Sequence, residues 1–450
     1  MAFQYIPVTE EERQEMLRVI GVDSIEALFA DIPQRVRLAR PLNLGPPLSD
    51  PELWALLRRL ADQNGHCDRY TCFLGAGAYD HYVPSVVWHL AGRGEFLTAY
   101  TPYQAEIMQG ELQAIYEYQT LLCELLAMDV ANASMYDGAS ALAEATVMAR
   151  DLTKRDRILV SRAIHPEYRQ VIRTYTRHLD MEIVEIPLRE GVTDLDAARD
   201  LLSEKVAALV LQIPNFFGCI EDGAVASEIA HRYGALLVVG IADPLAMGIL
   251  RPPGEYGADI VAGEGQPLGN HLNFGGPYLG MMATRQEYVR RIPGRLVGAT
   301  VDVEGRRGFV LTLQTREQHI RREKATSNIC TNESLNALAA AIYMVALGKQ
   351  GIQKVAELNL RKAHYAKTRM VEIPGFSLAF RAPTFHEFAI RCPLPPEELN
   401  RRLLPHGIIG GLPLRRYYPE LADGWLLCVT EARSREEIDQ FVDLVREVAA

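Results

Sequence analysis

Short runs of consecutive apolar residues recur through the middle of the chain and predict buried strands. Roughly 20 to 26 residues separate these runs, and the separating segments have helical patterns until the last, shorter steps. Strands that alternate with helices at this spacing form a mostly parallel sheet with helices on both faces. The runs lie at residues 157–160, 182–186, 207–211, 235–239, 259–261 and 278–282.

The flanking regions have other patterns. Residues 9–40 have apolar positions spaced for one helix face, with Gly21 as a break between two short helices. Residues 41–51 hold four prolines and one glycine, which is typical of a connector because proline interrupts helices and central strands. Beyond residue 300, long helices are predicted at 333–347 and 351–372, followed by short strands and helices.

These elements predict an α/β fold in three parts. Residues 1–50 form an N-terminal helical arm, and residues 51–300 form a large domain with a mostly parallel sheet. Residues 301–450 form a helical connection and a smaller C-terminal α/β domain. Ligands of such sheets bind at the carboxyl ends of the strands, so those positions are the first place to look for a site.

Composition and charge narrow the range of functions. The chain has 47 basic and 57 acidic side chains, a formal net charge of −10, so partners are not expected to be nucleic acids or membranes. It has neither a signal-peptide pattern nor the ~18 uninterrupted apolar residues of a membrane span. Seven cysteines without a CxxC pair predict reduced thiols. We expect a cytoplasmic protein without a metal site.

A helix start near residue 137 is a candidate anion site. Asp137, Gly138 and Ser140 begin an alanine-rich helix, and the free amides and dipole of a helix start attract phosphate groups. Asp and Ser are favoured at helix starts whatever is bound, so an ordinary capped helix is the alternative. The amides of Gly138 and Ala139 are expected to be available to a ligand.

Three polar residues follow three of the predicted strands. His165, Asn215 and Asp243 would face one crevice, because the carboxyl ends of parallel strands meet at one edge of the sheet. Each alone is typical of a turn or a helix cap. Together with the helix start they have the order expected of a pyridoxal phosphate pocket: phosphate site, ring-stacking His, polar contact, and Asp beside the pyridine nitrogen.

Such a pocket also needs a lysine that holds the cofactor as a Schiff base, and the expected position holds Gln266. An amide cannot form an imine. Of the chain's seven lysines, Lys324 is the least unsuitable substitute, although its charged surroundings are typical of the surface. His81 and His89 have no further metal ligand near them in sequence, and we interpret them as unrelated to metal binding.

A second polar segment precedes the helix start. Pro102 fixes the local backbone, and its neighbours can present hydroxyls and an amide to a polar ligand. A plain loop with buried aromatic residues is the alternative interpretation. The candidate ligand-binding or interface residues of this segment are Tyr100, Thr101, Tyr103 and Gln104.

The chain resembles the P-protein family of the glycine cleavage system. Members of this family are pyridoxal phosphate-dependent glycine decarboxylases, and they have the aminotransferase-like fold, which is called fold type I. It is most similar to subunit 1 of the two-subunit form, over nearly its whole length. The segments that carry the resemblance include Thr98 to Ile107, Gln212 to Gly218, Gly263-Glu264-Gly265-Gln266 and Phe274-Gly275-Gly276-Pro277.

This resemblance implies a division of labour between two chains. The family's lysine lies in the homologous second half, at the position that corresponds to Gln266, so this subunit would contain a degenerate pocket. Subunit 2 would hold pyridoxal phosphate covalently. The complex would decarboxylate glycine and pass the aminomethyl group to the lipoyl group of H-protein. Two alternatives are a self-sufficient desulfurase or amino-acid decarboxylase anchored at Lys324, and a purely structural stabilising subunit.

Overall fold

The structure, a computed structural model, describes residues 7–325, 327–329 and 332–449. The chain divides into two compact units, Met1–Gly65 and His66–Ala450, and each is described by itself. Six cysteines fall in the described residues, and all six are free thiols, as the sequence predicted. Cys330 lies outside the described residues.

The first unit contains two α-helices, α1 (Glu10–Ile20) and α2 (Asp50–Ala61). Thr9 caps α1 and Gly21 ends it in the left-handed conformation, as predicted. The prediction of a second helix before residue 40 is wrong, because this segment forms only 3-10 turns at Glu26–Phe29 and Gln34–Val36. Pro33 between the two turns prevents a continuous helix.

The second unit holds the remaining helices and all the described strands. Its helices are α3 (Ser85–Ala91), α4 (Gly94–Leu97), α5 (Gln109–Leu126), α6 (Gly138–Thr153), α7 (Pro166–Thr176), α8 (Leu195–Leu201), α9 (Gly223–Arg232), α10 (Gln318–Arg321), α11 (Ser334–Val371), α12 (Pro396–Leu403) and α13 (Arg435–Ala449). Its strands are β1 (Thr71–Cys72), β2 (Val130–Ala131), β3 (Arg157–Ser161), β4 (Glu182–Ile186), β5 (Leu188–Arg189), β6 (Val192–Thr193), β7 (Val206–Gln212), β8 (Leu236–Ile241), β9 (Ile260–Glu264), β10 (Gly280–Thr284), β11 (Leu296–Val301), β12 (Arg307–Thr312), β13 (Ser377–Leu378), β14 (Glu387–Arg391), β15 (Ile408–Ile409), β16 (Leu412–Pro413) and β17 (Gly424–Cys428).

The central sheet has seven strands in the order β2-β10-β9-β8-β7-β3-β4. Strands β9, β8, β7, β3 and β4 are parallel to one another, and β10 pairs antiparallel with both β9 and β2. Alternate residues of each strand pack into two hydrophobic clusters on opposite faces of the sheet. In β7, for example, Leu209 and Leu211 lie in one cluster, and Ala208 and Val210 lie in the other. Both faces of the sheet are therefore covered, which is why its strands read as continuous apolar runs.

A smaller antiparallel sheet in the order β13-β14-β17-β16 lies in the C-terminal part. Its cluster of buried side chains includes residues of α12 and α13, as the sequence predicted for this part. The connecting helix α11 is interrupted at Gly348, whose φ of 62° is not helical. By length and composition alone α11 is also long and apolar enough to cross a membrane, and 44% of its most apolar window is buried inside the protein.

Candidate functional site

The start of α6 is a capped helix end. The Asp137 carboxylate accepts a hydrogen bond from the Ser140 N–H at 2.7 Å, and Ser140 Oγ accepts one from the Asp137 N–H at 3.2 Å. These reciprocal bonds form a capping box. Asp137 is exposed, whereas Gly138 and Ser140 are buried. The helix end therefore meets solvent only at its cap.

The anion at this helix end is a side chain of the protein itself. Glu264, the last residue of β9, accepts a hydrogen bond from the Gly138 N–H at 2.9 Å. Its other oxygen accepts bonds from the N–H groups of Gln266 and Leu279, both at 3.0 Å. A carboxylate at a helix N-terminus is stabilised for the same reason as a phosphate. The Gly138 amide, expected from the sequence to be available to a ligand, is thus already bonded.

Glu264 titrates near neutrality. Its complete burial raises the pKa to about 7, although the three N–H donors favour the ionised form. The neighbouring negative charge of Asp137 also raises it, by less than burial does. The three backbone donors therefore bind the ionised carboxylate most strongly and oppose the effect of burial.

Asp243 follows β8, as predicted, and faces two imidazole rings. Its Oδ1 accepts a hydrogen bond from the Leu245 N–H at 2.9 Å. Its Oδ2 lies 3.3 Å from His81 Nε2 and 2.9 Å from His386 Nε2. Burial opposes the charge of Asp243, but the two imidazoles outweigh it and hold the pKa of Asp243 well below its usual value. The position proposed for a pyridine nitrogen is taken by histidine rings.

The side chain of Gln266 is also fully engaged. Its Oε1 accepts a hydrogen bond from the Tyr79 N–H at 2.9 Å, and its Nε2 donates to the carbonyl of Tyr79 at 3.0 Å. The same amide donates to the carbonyl of Asn270 at 2.6 Å. Only 1% of Gln266 is exposed. The residue at the expected lysine position therefore binds backbone groups and has no open space beside it.

Residues 75–81, which we call the crossing segment, connect these parts. The Ala76 N–H donates to Glu387 Oε1 at 2.6 Å, and the Tyr79 hydroxyl donates to Glu387 Oε2 at 2.8 Å. Burial raises the pKa of Glu387. The segment carries Tyr79, the partner of Gln266, and ends at His81, which faces Asp243. It therefore fills the crevice in which a ligand was expected.

His165 bonds to the same crossing segment. Its Nδ1 accepts a hydrogen bond from the Glu167 N–H at 3.2 Å, so Nε2 carries the proton and donates to the Ala76 carbonyl at 2.7 Å. Burial lowers the pKa of His165, which favours this neutral form. Gly77 packs so closely on the ring that a Cβ there would lie 2.9 Å from Nε2. Both ring nitrogens of His165 are therefore used inside the protein.

Asn215 is bonded within its own turn and to the β5–β6 connection. Its Nδ2 donates to the carbonyl of Gly191 and to Glu221, both at 2.8 Å. Its Oδ1 accepts from the N–H groups of Phe217 and Cys219 at 3.0 and 3.1 Å. The structure thus links Gly138, His165, Asp243 and Gln266 through Glu264 and the crossing segment, whereas these bonds of Asn215 hold the turn after β7.

The second candidate segment borders an open cleft. Tyr100 and Thr101 line a cleft of about 170 Å³ together with Glu111, the first residues of α11 and apolar side chains. Tyr100 is 80% exposed, and Gln104 is also exposed. The Tyr103 hydroxyl accepts a hydrogen bond from Arg295 at 3.0 Å. The expectation of an accessible polar loop is thus met at Tyr100, Thr101 and Gln104, while Tyr103 is partly anchored.

This cleft is acidic and lies near the start of α6. Burial raises the pKa of Glu111, whose Oε2 has no hydrogen-bond partner among the described residues. Burial also raises the pKa of Glu333, and the negative charge of Asp137 adds to that effect. The exposed cap of α6 is therefore close enough to influence one wall of the cleft.

Lys324 lies elsewhere on the surface. It is exposed and borders a basic cleft together with four arginines: Arg290, Arg291, Arg316 and Arg321. The residues that line this cleft include none of the predicted pocket residues. Lys324 therefore lacks the surroundings of a cofactor anchor.

Comparison with known proteins decides the family. The profile of the family described as "Glycine cleavage system P-protein" matches residues 3–445. The chain belongs to the P-protein family of the glycine cleavage system. The sequence resemblance is confirmed, and so is the α/β fold of pyridoxal phosphate enzymes of fold type I.

Individual relatives are similar over their full lengths. A probable glycine dehydrogenase (decarboxylating) subunit 1 from Desulfitobacterium hafniense is 56% identical over 438 residues, 97% of this chain and 98% of that protein. A crystal structure of a glycine decarboxylase (P-protein) in inhibitor-bound form is 47% identical, with a TM-score of 0.91 over 99% of this chain and 100% of that one. A glutamate decarboxylase from Lactobacillus brevis, 14% identical with a TM-score of 0.68 over 94% of this chain and 97% of its own, shares the fold alone.

Pyridoxal phosphate is the cofactor expected of this P-protein fold, but the residues of the degenerate pocket do not fit it. A cofactor phosphate at α6 would have to displace the Glu264 carboxylate from the Gly138 amide. A pyridine ring beside Asp243 would overlap the positions of His81 and His386. Gln266 offers no amine. The pocket of this P-protein chain is therefore filled by its own side chains.

Sequence reasoning missed the residues that fill the pocket. In the sequence Glu264 stands out only as part of a family motif, although an acidic residue at the end of a buried apolar strand is itself an unusual feature. His386 and Glu387 lie in the C-terminal part, and nothing in their local sequence indicates contact with the sheet edge. The histidine nearest to His81 in the sequence is His89, whereas the side chains nearest to it in space include Asp243 and His386.

Proposed function

We propose that this chain is the non-lysine subunit of a decarboxylating glycine dehydrogenase and that its partner, subunit 2, holds pyridoxal phosphate covalently. The observation that supports this most strongly is Gln266, a buried amide at the expected lysine position with all its polar atoms bonded to backbone groups. A chain without an amine at this strand end depends on another chain for cofactor chemistry. Bound pyridoxal phosphate supplies an electron sink for the decarboxylation of glycine.

The contribution of this chain to the shared site is proposed to be the cleft beside Tyr100. It is open, it is lined by hydroxyls and two carboxyl groups, and Tyr100 and Gln104 are exposed without a role in the chain's own packing. Carboxylates in partly dry surroundings attract an ammonium group. Glycine and the aminomethyl product carried by the lipoyl arm of H-protein both have such a group. We therefore place glycine or the lipoyl arm against this cleft.

Substitution of the exposed loop tests this role. In the complex reconstituted with subunit 2, we expect Tyr100→Ala and Gln104→Ala each to reduce glycine–carbon dioxide exchange by about tenfold or more, a loss of ~1.4 kcal/mol of transition-state stabilisation. Both side chains are exposed, so the thermal stability of the chain should change little. The measurements are exchange rates with varied glycine and H-protein concentrations.

Two controls separate this role from a purely structural one. Tyr82→Ala removes another exposed ring, 67% accessible, outside this cleft and should leave exchange unchanged. Size-exclusion chromatography measures assembly with subunit 2 for every variant. Wild-type exchange in the Tyr100 and Gln104 variants, with assembly intact, would favour the structural stabiliser instead.

An apolar groove next to the cleft is proposed as the contact surface for subunit 2. The groove has a volume of about 320 Å³ between α3, α5 and α11, and it is lined by Val86, Leu90, Ala114, Glu117, Leu121, Leu338, Ala341, Ile342, Val345 and Ala346. Leu338 also lines the cleft, so the two surfaces are continuous. A partner that completes the cleft would therefore also cover the groove, and exposed apolar patches of this kind mark protein interfaces.

A charge in this groove should prevent assembly. Val345 is 67% exposed, so we expect Val345→Asp to fold normally and to lose co-purification with tagged subunit 2, because an unpaired carboxylate would be buried in the interface. Val303→Asp introduces the same charge at a fully exposed valine and should bind normally. Equal recovery of subunit 2 with both variants would place the interface elsewhere.

The remaining sequence expectations fit this proposal. The formal charge of −10 supports protein and small-molecule partners rather than nucleic acid or membrane, and we propose a cytoplasmic location. The division at residues 50 and 300 is kept as a proposal for domain boundaries. A self-sufficient desulfurase or amino-acid decarboxylase is not favoured, because Lys324 is exposed among arginines.

A further inference from the structure

Three buried side chains from distant parts of the chain converge beside β8. His81 ends the crossing segment, Asp243 follows β8, and His386 directly precedes β14. Between 1% and 2% of each side chain is exposed. One ligand atom from each, the two imidazole nitrogens and a carboxylate oxygen, lies within 4.8 Å of the others. Two imidazoles and a carboxylate are a donor set that binds divalent transition metals.

The polar atoms at the centre of this cluster are not satisfied by hydrogen bonds. His81 Nε2 and His386 Nε2 lie 3.3 and 2.9 Å from Asp243 Oδ2, but neither contact has hydrogen-bond geometry. All three atoms therefore lack a hydrogen-bond partner among the described residues. An unpaired buried polar group is unfavourable because it has lost its hydrogen bonds to water. Three such atoms that point at one another indicate a missing common partner.

The distances from the two imidazoles to Asp243 are close to those of metal coordination, and the two ligand nitrogens lie within 4.8 Å of each other. Bonds of about 2.0–2.1 Å from a tetrahedral Zn²⁺ to nitrogen and oxygen place neighbouring ligand atoms roughly 3.3–3.4 Å apart. The separation of His81 Nε2 from Asp243 Oδ2 already has this value, and His386 would move outward by a few tenths of an ångström. Three protein ligands leave a fourth coordination position for water.

The surroundings orient two of the three ligand residues in the way that metal sites require. The other nitrogen of His81, Nδ1, lies 2.7 Å from Glu431 Oε2, so Nδ1 carries a proton, and a metal ion at the cluster would replace the proton on Nε2. A carboxylate behind a histidine is a common support of metal ligands. The other oxygen of Asp243 is fixed by the Leu245 N–H. A divalent cation would also balance the buried charges of Asp243 and Glu431.

We propose that His81, Asp243 and His386 form a site for a divalent transition-metal ion, with Zn²⁺ as its natural occupant. This inference goes beyond the proposed function, because it does not depend on which chain holds the cofactor. The metal would join the crossing segment, the end of β8 and the start of β14. It would therefore occupy the place of a cofactor ring as a structural clamp.

The test uses the full-length chain, stripped with a chelator, equilibrated with Zn²⁺ and freed of excess metal by gel filtration. We expect one Zn²⁺ per chain by elemental analysis and a higher Tm with Zn²⁺ than without it. His386→Gln and Asp243→Asn should lower the affinity at least tenfold. His178→Gln, which changes an exposed histidine, should bind like the wild type. A folded wild-type chain that retains no Zn²⁺, or variants that retain as much as it does, would overturn the proposal.

Cobalt provides a second measurement that does not require the variants to fold. Co²⁺ bound to the wild-type chain by two imidazoles and a carboxylate should give the intense visible bands of a tetrahedral site, without a sulfur-to-cobalt charge-transfer band. Absence of the visible bands would contradict the proposal. A sulfur charge-transfer band would place the metal on the free cysteines and would also contradict it.

Discussion

The Gln266→Lys variant is expected to remain colourless when pyridoxal phosphate is added, although it restores an amine at the strand end. The amine would face the buried groups that bind the present amide: the Tyr79 backbone, at 2.9 and 3.0 Å, and the Asn270 carbonyl. Glu264 would still occupy the helix start, and two histidines would still face Asp243. The measurement is the visible absorbance of an internal aldimine before and after borohydride treatment.

The same variant should be markedly less stable. An ammonium at a position that is 1% exposed leaves an uncompensated buried charge, which typically costs about 3–5 kcal/mol. Gln170→Lys makes the identical change at an exposed position of α7 and should alter the free energy of unfolding by less than about 0.5 kcal/mol. A borohydride-sensitive visible band in Gln266→Lys would show that the pocket can open, and the filled-pocket interpretation would be wrong.

The central sheet could be predicted because burial on both faces leaves a local signal. Residues 206–212 and 236–241 are buried throughout, so each strand reads as an apolar run between polar segments. The β11–β12 hairpin was not predicted, because its outer half is exposed and its alternation is weak. The segment after Gly21 has helical spacing but forms only 3-10 turns, since spacing alone does not provide the burial that stabilises a helix.

The candidate site could be predicted only as far as topology determines it. Asp243 and Gln266 were found because strand ends of a parallel sheet converge. Their partners could not be found, because His81 and His386 reach Asp243 through tertiary packing that no local pattern encodes. The distinction matters for function: the sequence around Gln266 shows that a lysine is missing, whereas only the structure shows that the pocket is closed by other side chains.

Glu264 provides the most direct test of that closure. We expect Glu264→Ala to lower the free energy of unfolding by about 3–5 kcal/mol, because it leaves the N–H groups of Gly138, Gln266 and Leu279 without the acceptor that they share. The measurement is chemical denaturation of the full-length chain. Glu228→Ala, at a glutamate whose side chain is 69% exposed, is the matched control and should change stability by less than about 0.5 kcal/mol.

Acetate should partly restore the Glu264→Ala variant, because it has the same carboxylate that the substitution removes and the start of α6 still attracts an anion. A ligand at about ten times its Kd adds ~1.4 kcal/mol of stability, so unfolding should shift to higher denaturant as acetate is raised at constant ionic strength. Chloride at the same concentration should have no such effect, and acetate should not stabilise the wild type, whose Gly138 amide is already bonded. Equal responses to acetate in the variant and the wild type would mean that Glu264 does not occupy an anion site.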